Sequence, residues 1–322
     1  MATYKQIYGT NVEVLASDPS NPVEGQIWYN STSQTLKGYA LVAGSWATAG
    51  PLNTARRAPG NTGIQTAALA FGGYTGTANT GVTESYNGTA WTSSPASMGT
   101  ARAQLGSAGT NTAALAFGGS PTAASPVFGE TESYNGSTWT ELNNLNTARG
   151  YVSGAGATNT ASLAFGGYTG GYVANTESWN GTSWTEVNDL NTARETTGAG
   201  TNTAALAMGG FSTGATGATE IWNGTSWTEV NDLNTARYGV GGDGISTAAL
   251  AFGGTTTTPV ANTESWNGTS WTELNDLNIA RFYPGGAGTN TASLAFGGGP
   301  TIVASTEEWS GPAVQTVNIT VS

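Results

Sequence analysis

The stretch T-E-S-W-N-G-T-S-W-T-E-V-N-D-L-N-T-A-R, Thr176 to Arg194, returns almost unchanged as T-E-S-W-N-G-T-S-W-T-E-L-N-D-L-N-I-A-R, Thr263 to Arg281. A second phrase, T-N-T-A-S-L-A-F-G-G at Thr158 to Gly167, fills the space between copies. Four landmarks keep step along the chain. The Ala-Arg dipeptide ends at Arg56, Arg102, Arg149, Arg194, Arg237 and Arg281, with spacings of 46, 47, 45, 43 and 44 residues. A Gly-Gly pair starts at Gly72, Gly118, Gly166, Gly209, Gly253 and Gly297. An acidic residue recurs at Glu84, Glu132, Glu177, Glu220, Glu264 and Glu307, and a Trp follows it at Trp91, Trp139, Trp184, Trp227 and Trp271. The sixth copy departs, with Val314 where the others carry Trp. Chance similarity would not hold four landmarks in register, so the chain is a repeat array.

Each unit reads as four short strands. The first is rich in Gly and small residues, as in Gly154-Ala-Gly156, and the second is the apolar run Ala161–Phe165. The third carries Glu-Ser-Trp or Glu-Ser-Tyr, and the fourth opens with Trp-Thr-Glu. Asn-Gly lies between the third and fourth, which predicts a type I′ hairpin with positive φ at both residues. No segment holds a 3.6-residue apolar period. Repeated four-stranded units predict an all-β fold, a β-propeller of six blades. Small residues on the first strand suit the crowded axis, and Trp and Tyr on outer strands suit the widening gap between blades. The Leu41–Trp46 stretch reads as one strand, and the Trp46 segment closes the sixth blade. The competing closure is a seventh, hybrid blade of Ile27–Tyr29, Thr35–Tyr39, Trp46 and the C-terminal strand Val314–Val321.

Residues 1–45 stand outside the repeat. Ala16 to Pro22 reads as an extended, Pro-punctuated linker. Ile27–Tyr29 and Thr35–Tyr39 read as a β-hairpin. The expected division is therefore an arm and hairpin at 1–45 and a propeller at 46–322.

Composition excludes much chemistry. There is no Cys and no His among 322 residues, so disulfides, thiolate nucleophiles, His bases and Cys/His zinc sites are out. Charged residues make up only 9%, and the formal net charge of −11 argues against nucleic-acid partners. The N-terminus has no basic region followed by an apolar run, and no window approaches the ~18 apolar residues of a membrane span.

The order apolar run, Gly-Gly, Tyr or Trp, Trp, Arg resembles a kelch repeat from Trp46 onward, with Asn-Thr-Ala-Arg in place of the usual Pro-rich exit from strand four. Gly25-Gln-Ile-Trp-Tyr-Asn-Ser-Thr with Leu36-Lys-Gly-Tyr39 resembles hairpins of bacteriophage tail and virion proteins, especially those of marine phages. Together these resemblances imply a non-enzymatic phage virion protein: a tail fibre, appendage or decoration. Its residues 1–45 would bind other virion proteins, and many copies would stand on the particle. Two alternatives remain: a polysaccharide-acting glycosidase on a propeller scaffold, and a bacterial kelch-type adhesin or scaffold.

The candidate residues divide into two sets. Arg56, Arg102, Arg149, Arg194, Arg237 and Arg281 match the periodic Glu residues in number, which favours blade-building ion pairs over a cationic ring for an anion. The Asn-Gly-Thr/Ser triplets at Asn87, Asn135, Asn180, Asn223 and Asn267 are read as turns rather than glycosylation sites. Asp189, Asp232 and Asp276 are read as turn or cap residues rather than calcium ligands. Glu307 and Glu308 point to opposite strand faces, and Glu130 with Glu132 reads as solvated edge, so neither pair makes a glycosidase dyad. No catalytic residue, metal or cofactor is expected. The Ser-Trp-Asn-Gly-Thr-Ser-Trp turn is similar to a sialidase Asp-box but is one residue short and has Asn for Asp. Kelch-type copper-radical oxidases need His and Cys.

Variation collects elsewhere. The loop after the second strand and the residues just after each Arg change in every unit, and the kelch resemblance places both on one face. The ligand-binding candidates there are Tyr74, Phe128, Tyr151, Tyr168, Tyr172, Phe211, Tyr238, Phe282 and Tyr283. A constant scaffold with one variable aromatic face implies binding of a host-surface glycan or protein.

Overall fold

The computed structural model describes residues 12–121 and 127–320. Its elements are all strands, which form seven four-stranded sheets. The chain divides into two compact units. One is Met1–Gly44 with Gly311–Ser322, and the other is Ser45–Ser310.

The larger unit holds six of the sheets, one per repeat. The third repeat is representative: Ser153–Thr158, Ala161–Phe165, Thr176–Trp179 and Trp184–Val187 pair antiparallel in chain order. The second strand is buried almost throughout, because both faces of each sheet meet another sheet. The sixth sheet is made from both ends of this unit. Ser45–Ala49 pairs with Thr306–Ser310 and places Trp46 opposite Trp309, as Trp184 lies opposite Trp179. Trp46 thus occupies the place that Val314 leaves open.

Three contacts between successive sheets recur and return to their starting point. The fourth-strand Trp packs on the second-strand Phe of the preceding sheet, with ring centroids 4.8–5.1 Å apart in five pairs from Phe71–Trp139 to Phe252–Trp46 and Phe296–Trp91. Met208 replaces Phe in the fourth repeat and packs with Trp271. In five of the six sheets the same Trp donates its indole N–H to a third-strand Thr of that preceding sheet, as Trp184 does to Thr131 at 2.9 Å and Trp91 to Thr306 at 3.0 Å, while Trp271 Nε1 has no partner among the described residues. Third, the second Gly of each Gly-Gly pair donates its N–H to the next repeat's Arg carbonyl at 2.8–2.9 Å, ending with Gly298 to Arg56. The first strands also touch in cyclic order. Repeated four-stranded sheets in this succession fit a β-propeller.

The Arg side chains complete the joint. All six are wholly buried, and each pairs with the Glu of its own repeat: Arg56 with Glu84, Arg102 with Glu132, Arg149 with Glu177, Arg194 with Glu220, Arg237 with Glu264 and Arg281 with Glu307. In the third repeat Arg149 Nη1 lies 2.5 Å from Glu177, whose oxygens also accept the backbone N–H groups of Asn146 and Thr147 at 2.7 and 3.3 Å. One carboxylate therefore fixes both the guanidinium and the loop that delivers it. Glu132 belongs to this set and is buried, which corrects its reading as solvated edge. Glu130 is half-buried, with one oxygen lacking a partner. Glu307 and Glu308 do face apart: Glu307 holds Arg281, while Glu308 accepts the Tyr86 hydroxyl at 2.7 Å.

The Asn-Gly turns differ from type I′. Tyr86 pairs with Trp91, and Asn87 bonds Ala90, so Gly88 and Thr89 are the central residues. Only the Gly takes positive φ, about +90°. Asn87 instead turns its Oδ1 inward to accept N–H bonds from Thr89 and Ala90, an Asx-type cap that needs no positive φ at Asn. Asp189 and Asp232 play a related part, each accepting a third-strand N–H, from Thr176 and Thr219.

The smaller unit contains Glu13–Leu15, Ile27–Asn30, Thr35–Val42 and Ala313–Asn318 as one sheet, its first pair parallel. The Leu41–Trp46 stretch is thus two strands in two sheets, broken at Ala43 and Gly44. The C-terminal strand joins the hairpin rather than the 46–322 unit, and the hybrid sheet it builds excludes Trp46. Asp18 anchors the linker to the hairpin by accepting Trp28 Nε1, Asn30 Nδ2 and Lys37 Nζ at 3.0, 2.7 and 2.7 Å. These donors hold its carboxyl down at about 2, with Lys37 the largest influence. Residues 1–11 of the expected arm lie outside the described residues.

Removing one partner of a buried ion pair strands the other. Arg149→Met is expected to lower the unfolding free energy by about 3–5 kcal/mol in chemical denaturation. The double variant Arg149→Met with Glu177→Met should not recover it, because Asn146 and Thr147 then lose their acceptor. Full recovery would show that the pair serves only itself.

Candidate functional site

The two variable segments of each repeat are tied together by backbone hydrogen bonds. Gly150 and Tyr168 exchange N–H bonds of 3.0 and 2.8 Å. The same bridge joins Arg57 to Tyr74, Ala103 to Ser120, Tyr238 to Thr255 and Phe282 to Gly299. In the fourth repeat Glu195 and Phe211 do this as paired strand residues. The residue after each buried Arg is thus locked to the residue after each Gly-Gly pair. The pair must be glycine here: Gly166 and Gly167 have φ of +64° and +115°, and a Cβ on Gly166 would lie 2.5 Å from the Arg194 carbonyl oxygen.

This arrangement gathers eight of the nine aromatic candidates into one band. Tyr168 meets Tyr172, Tyr172 meets Phe211, Phe211 meets Tyr238, and Tyr238 meets Tyr283, with centroids 4.9–6.4 Å apart. Tyr283 also touches Tyr151 and Phe282. The Arg57 guanidinium lies over Phe282 and over Tyr74, 5.5 and 5.3 Å from the ring centres, and so adds Tyr74. Phe128 is held apart by its backbone bonds to Gly119 and Arg149 and shares no ring contact among the described residues. Residues 122–126 of its loop lie outside them.

Within the band, a cleft of about 310 Å³ is lined by Tyr151, Tyr168, Tyr172, Phe211, Tyr238, Tyr283 and Glu195. A second cavity of about 240 Å³ runs among the six first strands and shares Tyr151, Tyr283 and Glu195 with the cleft. Glu195 therefore stands where the aromatic cleft meets the axial cavity. It is only 5% exposed, and both its oxygens accept the Tyr283 hydroxyl, at 2.9 and 3.1 Å. Burial pushes its carboxyl up to about 7, against the smaller lowering effect of Tyr283. Deeper in the axial cavity, Asp243 is buried and accepts the Ser293 hydroxyl. Burial likewise raises it to about 7. Burial and the Glu195 charge together push Tyr283 well up, and Tyr172 to about 12.

The mouth of the axial cavity is also strained. The second residue after the Arg takes a left-handed φ of 50–60° at Ala58, Gln104, Tyr151, Gly239 and Tyr283. Four of these are not glycine, at a cost of roughly 1 kcal/mol or more each. They hold one another through backbone bonds: Tyr283 N–H to Gly239, Ala58 N–H to Tyr283 and Gln104 N–H to Ala58. The fourth repeat breaks the pattern, since Glu195 begins its first strand there.

Arg57 and Glu195 occupy variable positions just after an Arg but were not among the binding candidates, and Asp243 was not singled out. A signal existed: Glu195 and Asp243 are the only charged residues in the six first strands, which otherwise hold small, polar or aliphatic residues. Among the described residues no cluster of three or more His, Cys, Asp or Glu could hold a metal. No helix among them is long and apolar enough to cross a membrane. No protein-family model matches the chain, and no curated protein matches it.

The two raised carboxyls give a pH dependence. The folded state keeps protons on Glu195 and Asp243 up to about pH 7, whereas unfolded Glu and Asp release them near 4.5 and 3.8. Stability from these groups is therefore full at low pH and falls as pH rises to about 7, by roughly 3–4 kcal/mol for each group. Melting temperatures of Glu195→Gln and Asp243→Asn should match the parent near pH 4 and exceed it at pH 8.

Proposed function

We propose that the chain is a non-enzymatic structural protein of a phage virion, a tail fibre, appendage or decoration, whose repeats form a six-bladed kelch-like propeller. Its aromatic face binds a glycan or protein of the host surface. The observation that carries this reading is the division of labour within each repeat. The Arg, Glu, Trp and Gly-Gly positions are nearly constant and buried in joints between sheets. The segments that differ from repeat to repeat are bridged in pairs and bring aromatic rings to one open cleft. Six sheets in cyclic contact support the blade number, with the Ser45–Ala49 strand as the clasp.

Residues 1–45, with the hairpin that takes up the C-terminal strand, are assigned to other virion proteins, in many copies on the particle. Avidity across copies lets weak single sites suffice. The cleft presents one carboxylate, Glu195, where glycoside hydrolysis uses two across the scissile bond. This favours binding over the glycosidase alternative.

The full chain should be retained on host cells or on their surface polysaccharide. Tyr172→Ser with Phe211→Ser should cut retention about tenfold, or 1.4 kcal/mol, without shifting the melting temperature. Equal retention of parent and variant, or particles that infect normally without this protein, would sink the attachment role.

A further inference from the structure

We propose that the cleft walled by Tyr151, Tyr172, Phe211, Tyr238 and Tyr283 binds an organic cation, a quaternary or fully methylated ammonium group, with Glu195 as its counter-ion. This rests on the reading of the aromatic face as a binding surface and names the chemistry of its ligand.

Aromatic faces carry negative charge density, and several rings around one space attract a cation most strongly when water is excluded. Six rings line this one cleft, and its ~300 Å³ sits at the small end of ligand pockets. Glu195 adds a formal charge at its floor. That carboxylate is buried, and among the described residues its side-chain hydrogen bonds come from the neutral Tyr283 hydroxyl. A buried carboxylate without a cation is costly. The described residues supply none in contact with Glu195. Among the described residues six Arg are committed to their own Glu, Lys37 is committed to Asp18, and Arg57 lies over Tyr74 and Phe282, with Phe282 and Tyr283 between it and Glu195. Once Glu195 ionises, a cation from solution supplies the opposite charge.

Competing ligands fit less well. Calcium needs six to eight oxygen ligands, and the cleft's carboxyl oxygens both come from Glu195. A primary ammonium carries three N–H donors that need acceptors in place of water, and Glu195 is the one carboxylate lining the cleft. A methylated ammonium needs no acceptor and presents methyl groups to the rings. The net charge of −11 lies in residues outside the neutral Arg–Glu pairs and draws cations to the surface. Strained backbone at Tyr151 and Tyr283 holds two of the walls in place, as binding sites that are built before the ligand arrives often do.

Glu195 bonds Tyr283 and shares the cleft with Tyr151, Tyr172 and Tyr238, while Arg57 reaches it at longer range through Tyr151. Burial and the Glu195 charge push Tyr151, Tyr172 and Tyr283 up, so the carboxyl governs the pH response. Affinity should rise with pH until Glu195 is fully ionised and then level off.

The test titrates the full chain with choline and with tetramethylammonium, read by calorimetry and tyrosine fluorescence. The uncharged 3,3-dimethylbutan-1-ol serves as the isosteric control. Saturable cation binding is expected, with the alcohol at least about tenfold weaker, or 1.4 kcal/mol. Glu195→Gln should weaken choline by a similar factor and flatten its pH dependence. Phosphatidylcholine vesicles form a second arm: retention competed by choline assigns the group to a lipid surface, and choline binding without retention assigns it to a free or glycan-borne source. No saturable choline binding at several tens of millimolar, equal binding of the alcohol, or full affinity in Glu195→Gln would each overturn the assignment. If a neutral surface oligosaccharide binds while choline is inert, the binding face stands and the cation site falls. If neither binds, both fall.

Discussion

A guanidinium removed from water must meet a carboxylate, and six such meetings organise this chain. Each Arg reaches its Glu only if the loop before the first strand takes one path. The Glu oxygens that bind Arg149 also bind the N–H groups of Asn146 and Thr147 in that loop. The Arg backbone carbonyl then accepts an N–H from the Gly-Gly corner of the neighbouring sheet. One residue thus joins its own sheet by its side chain and the next by its main chain. Buried ion pairs seldom add much net stability, but they penalise every arrangement that leaves one member alone. Here that penalty fixes the position of each sheet against its neighbour.

That constraint explains where the repeats are free to differ. The Trp that wedges between sheets, the Thr that takes its indole proton and the Phe beneath it each answer to another sheet. Met208 for Phe is tolerated because Met fills irregular space. The residues after the Arg and after Gly-Gly answer mainly to each other, through paired backbone bonds that ignore side-chain identity. Ala, Gly, Tyr, Phe, Arg and Glu all occur there. The scaffold holds the backbone of these segments still while leaving their side chains open to change.

The fourth repeat uses that freedom most. Glu195 stands where other repeats place a neutral residue or Arg57, and the axial cavity holds a second acid at Asp243. Both are buried without a basic partner, so both cost stability once ionised. A domain that spends stability on such groups, and on left-handed backbone at Ala58, Gln104, Tyr151 and Tyr283, carries its strain where its aromatic rings converge.

Strand number, strand order and the Arg–Glu, Trp and Gly-Gly landmarks were legible in the sequence, because each depends on short-range pattern repeated six times. Closure by Trp46 was legible too, since the Trp missing near Val314 had to come from elsewhere. The Asn-Gly turn was misjudged because a side-chain oxygen can cap a loop as well as positive φ can shape it, and the dipeptide does not tell which. The boundary at residue 45 missed the C-terminal strand because pairing between Thr35–Val42 and Ala313–Asn318 leaves no periodic mark. The aromatic candidates were visible as variation, but their convergence on Glu195 was not. Rings and carboxylate come from separate repeats, and the distance between such side chains is set only when the sheets pack. Local pattern by itself determined the repeat and its joints; tertiary packing decided which of the changing residues share a site.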